Sequence, residues 1–453
     1  AWSFRDVTTL LCMRLLKVSS QGTKLIMSFN FQRIGNVGLR SLTLGTRFLF
    51  IFFLAKYLSP SDVGYYVLFT ATVGYAMYFV GLDFYAFATR EIIKTPKEDR
   101  GQLLRGQAAL SGLLYLGLLP VALVFLYHAG WPAHLVWWFI PILMLEHFNQ
   151  EVFRLLVALS EQVIASLILF ARHGSWAIGI VILMAVEPDS RNLDAVMGSW
   201  LLGGTGAAAL GVWKLKKLSM GGWRRTVDWV WVKRGIKVSF WLLFASLALR
   251  GIQTADRYWL EALGGIDQVA AYVLFLGVAS TLMVFLDAGV FSFAYPALIA
   301  HYHASEQSAA RRKLRAMLVQ TVVFSAAFAV VSIHLLPYLL EWIDKPAYLD
   351  AIHLYPWLLL AMVINALGMI PHYALYASRR DNIIIYSHLL AMIAFVAATW
   401  VLSDALGVMA VPAGKNVAFL TILILKTLGY WWFSNLQNPA SSPINISTPQ
   451  KNG

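Results

Sequence analysis

Charge is what this chain has least of. Only 13% of its 453 residues are Asp, Glu, Lys or Arg, where a soluble domain carries roughly 25%. Acids are the scarcer sign, 23 against 36 Lys and Arg. Cysteine is almost missing. Cys12 is the single one, so a disulfide within the chain and a Cys-based metal site are both excluded. No Gly-Lys motif that could cradle a phosphate occurs, so the chain does not hydrolyse ATP by itself. No soluble catalytic domain is legible, and no enzyme activity is expected. A long extracytoplasmic loop, of the kind that holds acceptors in membrane glycosyl polymerases and ligases, is also missing. Near the start the one short apolar run is Leu10–Met13, with no small-residue cleavage site after it, so no signal peptide is read.

What fills the chain instead is apolar sequence: 59% hydrophobic residues and a mean hydropathy of +0.65. Crossing the hydrocarbon takes about 20 apolar residues as a helix, whereas a barrel strand needs about 10 of alternating polarity. Solid runs such as Leu113–Leu126 and Val322–Leu340 therefore predict helices. An all-α polytopic membrane protein with about twelve spans is expected. They run roughly over 36–57, 62–89, 107–127, 133–159, 163–186, 194–213, 236–260, 267–298, 316–340, 351–377, 382–402 and 405–433.

The block Tyr66-Val67-Leu68-Phe69 returns as Tyr272-Val273-Leu274-Phe275, an offset of 206 residues. Each copy follows a short polar break, and each apolar stretch ends near an acid, Asp83 and Asp287. Two pseudo-symmetric six-helix bundles around a central cavity are expected, because membrane proteins built from repeats place their working site between them. The bundles are read as 28–213 and 236–435, joined by a basic cytoplasmic linker over 214–235 and followed by a disordered tail over 436–453. An N-terminal extension over 1–27 precedes Met27 and the start-like Ser28-Phe29-Asn30-Phe31; whether it is native is left open.

The net charge of +13 does not point to nucleic acid, because its distribution is uneven. One set of alternate loops holds Arg90, Lys94, Lys97, Arg100 and Arg105, then Lys214 to Arg234, then Arg311 to Arg315 with Arg379 and Arg380. The other set holds little beyond Lys56, Arg191, Arg257 and Lys345. The positive-inside rule then puts both termini in the cytoplasm, and Trp residues near span ends read as interfacial anchors.

Charges inside the spans carry the chemistry, since each costs at least about 2.5–3.5 kcal/mol at the bilayer centre and so faces protein or water. Arg33, Arg40 and Arg47 share one helix face at seven-residue spacing, and Arg250 and Arg257 repeat that spacing. Arg172 lies deep in the fifth span, and Lys415 and Lys426 lie in the last. Substrate contact through Arg40, Arg47, Arg172, Arg250, Arg257, Lys415 and Lys426 is one reading. For Arg40, Arg90 and Arg257, near span ends, snorkelling to the headgroups is the other. The acids Glu146 and Glu151, with Arg154, Asp83, Asp256 and Asp287, read either as ion-coupling groups or as ion pairs inside the cavity. His147 and Glu151 stand four apart without a third ligand, so no metal is expected. A cationic interior suits an anionic cargo, because Arg forks take phosphate in bidentate fashion.

Leu54-Ala55-Lys56-Tyr57-Leu58-Ser59-Pro60-Ser61-Asp62-Val63-Gly64-Tyr65-Tyr66 resembles the first hairpin of polysaccharide exporters, which reads Leu-Ala-Arg-x-Leu-Gly-Pro-Glu-x-x-Gly-x-Tyr. Asp256-Arg257-Tyr258-Trp259-Leu260 resembles the same family's Asp-Arg element. The family is the polysaccharide and O-antigen flippases of the multidrug/oligosaccharidyl-lipid/polysaccharide (MOP) exporter superfamily, and the resemblance covers about residues 28–435. The chain departs at Gly264-Gly265-Ile266 and at Pro412-Ala413-Gly414. The resemblance implies a multi-pass protein of the bacterial inner membrane that flips a polyprenyl-diphosphate-linked oligosaccharide by alternating access. It implies no cofactor, coupling to H+ or Na+, and a working monomer among membrane lipids, with a polysaccharide polymerase and glycosyltransferases as partners. The alternatives are a drug/cation antiporter of the same superfamily and a membrane glycosyltransferase or ligase.

Overall fold

The computed structural model describes residues 35–304 and 306–436. The extension over 1–27, Cys12, Arg33 and the tail over 438–453 lie outside the described residues. The rest is helical almost throughout. In chain order the helices are α1 (Gly35–Tyr57), α2 (Pro60–Gly81), α3 (Tyr85–Lys94), α4 (Arg100–His128), α5 (Ala133–Ala158), α6 (Gln162–Phe170), α7 (Trp176–Val186) and α8 (Leu193–Lys217). There follow α9 (Trp229–Gly264), α10 (Ile266–Leu286), α11 (Ser292–His303), α12 (Gln307–Ile343), the short α13 (Pro346–Asp350), α14 (Leu354–Ala377), α15 (Asp381–Leu406) and α16 (Ala410–Leu436).

Nine described stretches are long and apolar enough to cross a membrane. One of them, Asp381–Trp432, holds both α15 and α16. The 26-residue α5 and 36-residue α9 have the length but carry more polar and charged residues through their central stretches, Glu146 to Glu151 in α5 and Arg250 to Arg257 in α9. Counting them gives the twelve expected spans. Large apolar side chains such as Leu116, Phe293 and Trp400 stand exposed along these helices, as lipid-facing surfaces require.

Three spans are interrupted where hydropathy runs on without a break. α2 stops at Gly81, and Leu82 and Asp83 both take left-handed backbone (φ 49° each) before α3 starts. A π-helical turn at Ala171–Ser175 links α6 to α7, and another at Asp287–Phe291 links α10 to α11. The second span of each half thus breaks at its acid. Pro412 sits in the first turn of α16, where the missing N–H costs no hydrogen bond. The last span therefore runs as one continuous helix despite Pro412 and Gly414.

The chain divides into two compact units. One combines the described residues up to Tyr57 with Ala76–Leu243; the other combines Leu58–Tyr75 with the described residues from Phe244 on. In the first unit the basic linker is tied down. Gly221 N–H donates to Lys97 O (3.0 Å), Gly101 N–H donates to Gly221 O (2.7 Å), and Arg225 pairs with Asp99 (2.6 Å). Beside it Phe84, Phe87 and Trp231 form an aromatic cluster with centroids 5.3–5.7 Å apart. In the second unit Ser59 caps α2: its Oγ accepts from Asp62 N–H (3.1 Å) and donates to Asp62 Oδ2 (2.7 Å). One turn on, a Cβ at Gly64 would lie 2.3 Å from Ile266 O. The two copies of the repeated hairpin meet there, and only glycine allows that approach.

Candidate functional site

Charged side chains buried inside the spans gather in three places. The first lies in the first unit on α5 and the π-turn. Arg172 and Glu146, 4% and 3% exposed, form an ion pair through Arg172 Nε to Glu146 Oε2 (2.7 Å) and a second contact from Nη2. Trp200 Nε1 on α8 donates to the other oxygen, Oε1 (2.8 Å). Arg172 Nη2 also donates to Gln150 Oε1 (3.1 Å). The π-turn changes the local hydrogen-bond pattern, and Arg172 O accepts from Trp176 Nε1 (2.7 Å). Trp176 stacks on Trp200 at 5.7 Å and 7°. Of the two stacked indoles, Trp200 bonds the ion pair itself and Trp176 bonds the backbone that carries Arg172. Arg47 on α1 and Arg172 are the two cations acting electrostatically on His173 of the same turn.

One turn along α5, Glu151 Oε1 accepts from Arg154 (2.8 Å) and Oε2 from Gln107 Nε2 on α4 (2.6 Å). The Arg154 guanidinium lies 3.5 Å over the Tyr85 ring. Asp83 is buried and an electrostatic neighbour of Glu151. Asp83 and Asp287 form no ion pair among the described residues; Asp287 is exposed and its electrostatic neighbour is Tyr373. Arg40 Nε donates to Ser166 Oγ on α6 (3.0 Å), a helix–helix contact. His147 Nε2 is buried and lacks a hydrogen bond, and no group of three metal ligands occurs among the described residues.

The second place is in the other unit. Asp256 on α9 is fully buried and meets Lys415 Nζ on α16 at 2.6 Å. Tyr272 Oη on α10 donates to the same Oδ2 (2.8 Å), and Lys415 Nζ stands 5.1 Å over the Tyr272 ring. Asp256 Oδ1 has no hydrogen bond, with Arg257 as a further electrostatic neighbour. Tyr272 opens the repeated block, so one copy of the repeat supplies this site. Arg47 and Arg250 are exposed on α1 and α9.

The third place joins the expected cation Lys426 to two histidines that the sequence pattern did not single out. Lys426 Nζ on α16, 2% exposed, lies 3.2 Å from His372 Nδ1 on α14 and 3.3 Å from His388 Nε2 on α15. The rule that singles out charges in spans applies equally to these histidines, each a lone titratable side chain in apolar sequence. Trp200 and Gln107 carried no such signal, being neutral.

The buried cations Arg172 and Lys415, and the half-buried Arg154, thus each face a carboxylate. The expectation of a net-cationic interior holds less broadly than the residue counts imply.

No protein-family model matches the chain, and no curated protein matches it. Solved structures do. A multidrug resistance MATE family transporter of the MOP superfamily, in its inward-facing conformation, is similar over 90% of this chain and 100% of its own, with TM-score 0.70 and 13% identity. The Vibrio cholerae MATE transporter VcmN matches over 89% and 99%, with TM-score 0.52 and 13% identity. The eukaryotic MATE transporter AtDTX14 matches over 89% and 94%, with TM-score 0.53 and 15% identity. At these identities the likeness establishes the fold alone: an all-helical, multi-pass architecture of two pseudo-symmetric halves.

Proposed function

We propose that the chain is a membrane transporter working by alternating access, and not an enzyme. One observation carries this: a transporter fold spans nine-tenths of the chain, with ionised groups held inside its spans. Buried ions cost stability and persist where a site needs them. Two cargo readings follow. The first is an organic cation or drug exchanged for H+ or Na+. The structural likenesses support it, as do the carboxylates that neutralise Arg172, Arg154 and Lys415.

The second is a polyprenyl-diphosphate-linked oligosaccharide flipped across a bacterial inner membrane, with both termini cytoplasmic. Its support is the Leu54–Tyr66 hairpin, the Asp256-Arg257 element and the position of Arg47 and Arg250, exposed on α1 and α9, where guanidinium forks would meet a diphosphate. Lipid-linked glycan, membrane lipids, a polymerase and glycosyltransferases are the partners under that reading. Under either, ion exchange at Glu146 or Glu151 requires their present bonds to open.

The test uses the full chain in proteoliposomes, with ethidium efflux and flipping of a fluorescent polyprenyl-diphosphate oligosaccharide assayed side by side. Movement of ethidium alone selects the first reading. Movement of the glycan lipid alone selects the second. A folded protein that moves neither overturns the transporter conclusion.

A further inference from the structure

Lys426, His372 and His388 come from three successive membrane helices and meet within 3.3 Å. Two features set them apart from the other buried charges. Among the described residues no carboxylate pairs with Lys426, and all three groups are bases. An ammonium offers only hydrogens. If Lys426 is charged, His372 Nδ1 and His388 Nε2 must both present lone pairs, so both rings are neutral and carry their hydrogens on the far nitrogens. The cluster then holds one positive charge and no counter-ion. Desolvating such a charge without a counter-ion is costly, which sets this site apart from the paired ones.

The surroundings keep the three groups coupled to one another. His372 feels Lys426 and His388, and His388 feels Lys426. Beside them Tyr373 on α14 contacts the His372 ring (5.7 Å) and faces Tyr295 on α11 and Asp287. Tyr430 on α16 bonds Tyr302 on α11, which feels Arg311 on α12. By helical rise, His372 lies about 8 Å from the end of α14 and His388 about 10 Å into α15. The short α14–α15 connection carries Arg379 and Arg380.

We propose that Lys426, His372 and His388 form a proton-loading site that binds and releases one proton in the transport cycle. The inference rests on the transporter reading but not on either cargo. In the release step a Lys426 Nζ–H bond breaks and an N–H bond forms at His388 Nε2. The resulting imidazolium then loses its Nδ1 proton to water. A neutral amine and a neutral ring remain, and one proton has left. Uptake reverses these steps. Glu146, Glu151 and Asp256 are less suited to this work. Both oxygens of Glu146 and both of Glu151 already accept hydrogen bonds, and Asp256 is held by Lys415 and Tyr272.

The first test is 15N NMR of histidine-labelled full-length protein in lipid nanodiscs across about pH 5–10, a range that brackets free His and reaches free Lys. His372→Gln and His388→Gln assign the two signals. Both rings are expected to move together at one midpoint, as coupled groups do, and Lys426→Met should abolish that common step. Ring signals that shift separately at midpoints unmoved by Lys426→Met, or that never shift across this range, overturn the proposal. The second test measures rates in proteoliposomes with and without an imposed pH gradient, using ethidium or the fluorescent polyprenyl-diphosphate oligosaccharide, whichever the wild type moves. His388→Gln keeps an acceptor but cannot carry the proton, and the gradient response should be lost. A response equal to wild type in both His388→Gln and Lys426→Met also overturns it. If the wild type moves neither probe, the transporter reading fails while the NMR result still decides the triad.

Discussion

Lys415 and Asp256 are nearly inaccessible to water, so each depends on the other. Removing one partner leaves an uncompensated buried charge, at a cost of about 3–5 kcal/mol. Lys415→Met alone should therefore unfold much earlier in a thermal melt of the protein in nanodiscs. Lys415→Met with Asp256→Leu should recover most of the loss; a double variant no better than the single would refute the pairing. Glu151 and Arg154 differ, being partly exposed and held by Gln107 and Tyr85. A brace tolerates exchange of its charges, because Gln107 can turn its amide to accept as well as donate. Glu151→Arg with Arg154→Glu should therefore fold and still transport. Folding without transport would instead assign α5 an ion-exchange role. The sequence exposed the charged members of these sites, because an ion in an apolar run is conspicuous. It hid the partners: Trp200, Gln107 and Tyr272 are ordinary residues for a membrane helix, and only the packing of distant helices brings them to a carboxylate.

Hydropathy located the helices but not their irregular turns, because a π-turn adds a residue without altering the polarity of the run. The Ala171–Ser175 turn matters most, since it carries Arg172 and lies where α8 packs closely. A Cβ at Gly203 on α8 would fall 2.5 Å from Trp176 Cδ1. Gly203→Val must displace the indole that stacks on Trp200, and overpacking of this kind costs about 1–3 kcal/mol. Gly206, on the same helix, has open space around its Cα. Gly206→Ala should be neutral or stabilising by up to about 1 kcal/mol through helix propensity. Thermal melts and near-ultraviolet circular dichroism of the two variants check the pair. Equal behaviour would mean that the Trp176–Trp200 stack is not tightly held. The glycines of α8, which weaken it as a span by composition, are in this sense packing residues.

Across the described connections basic charge falls mainly on one alternate set, with Arg191 between α7 and α8 and Lys345 before α13 as exceptions. The connections between α3 and α4, α8 and α9, and α14 and α15 carry Lys97, Arg224 with Arg225, and Arg379 with Arg380. Those between α4 and α5, α9 and α10, and α15 and α16 carry no Lys or Arg. Twelve spans make this alternation coherent; an odd count would put basic connections on both sides. Lys and Arg are retained on the cytoplasmic face during insertion. The linker adds a second constraint. Its backbone is bonded to the α3–α4 connection through Gly221, Lys97 and Gly101, so both segments must lie on one side whatever that side is. Reporter fusions at residues 95, 220 and 380 should therefore all report cytoplasm, and fusions at 130, 190 and 265 the outer side. Opposite signals at 95 and 220 would break the linker contact and the six-plus-six layout together. An outward signal at both would leave the layout standing and reverse only the orientation, placing the Lys426 triad near the outer surface and inverting the gradient to which it responds.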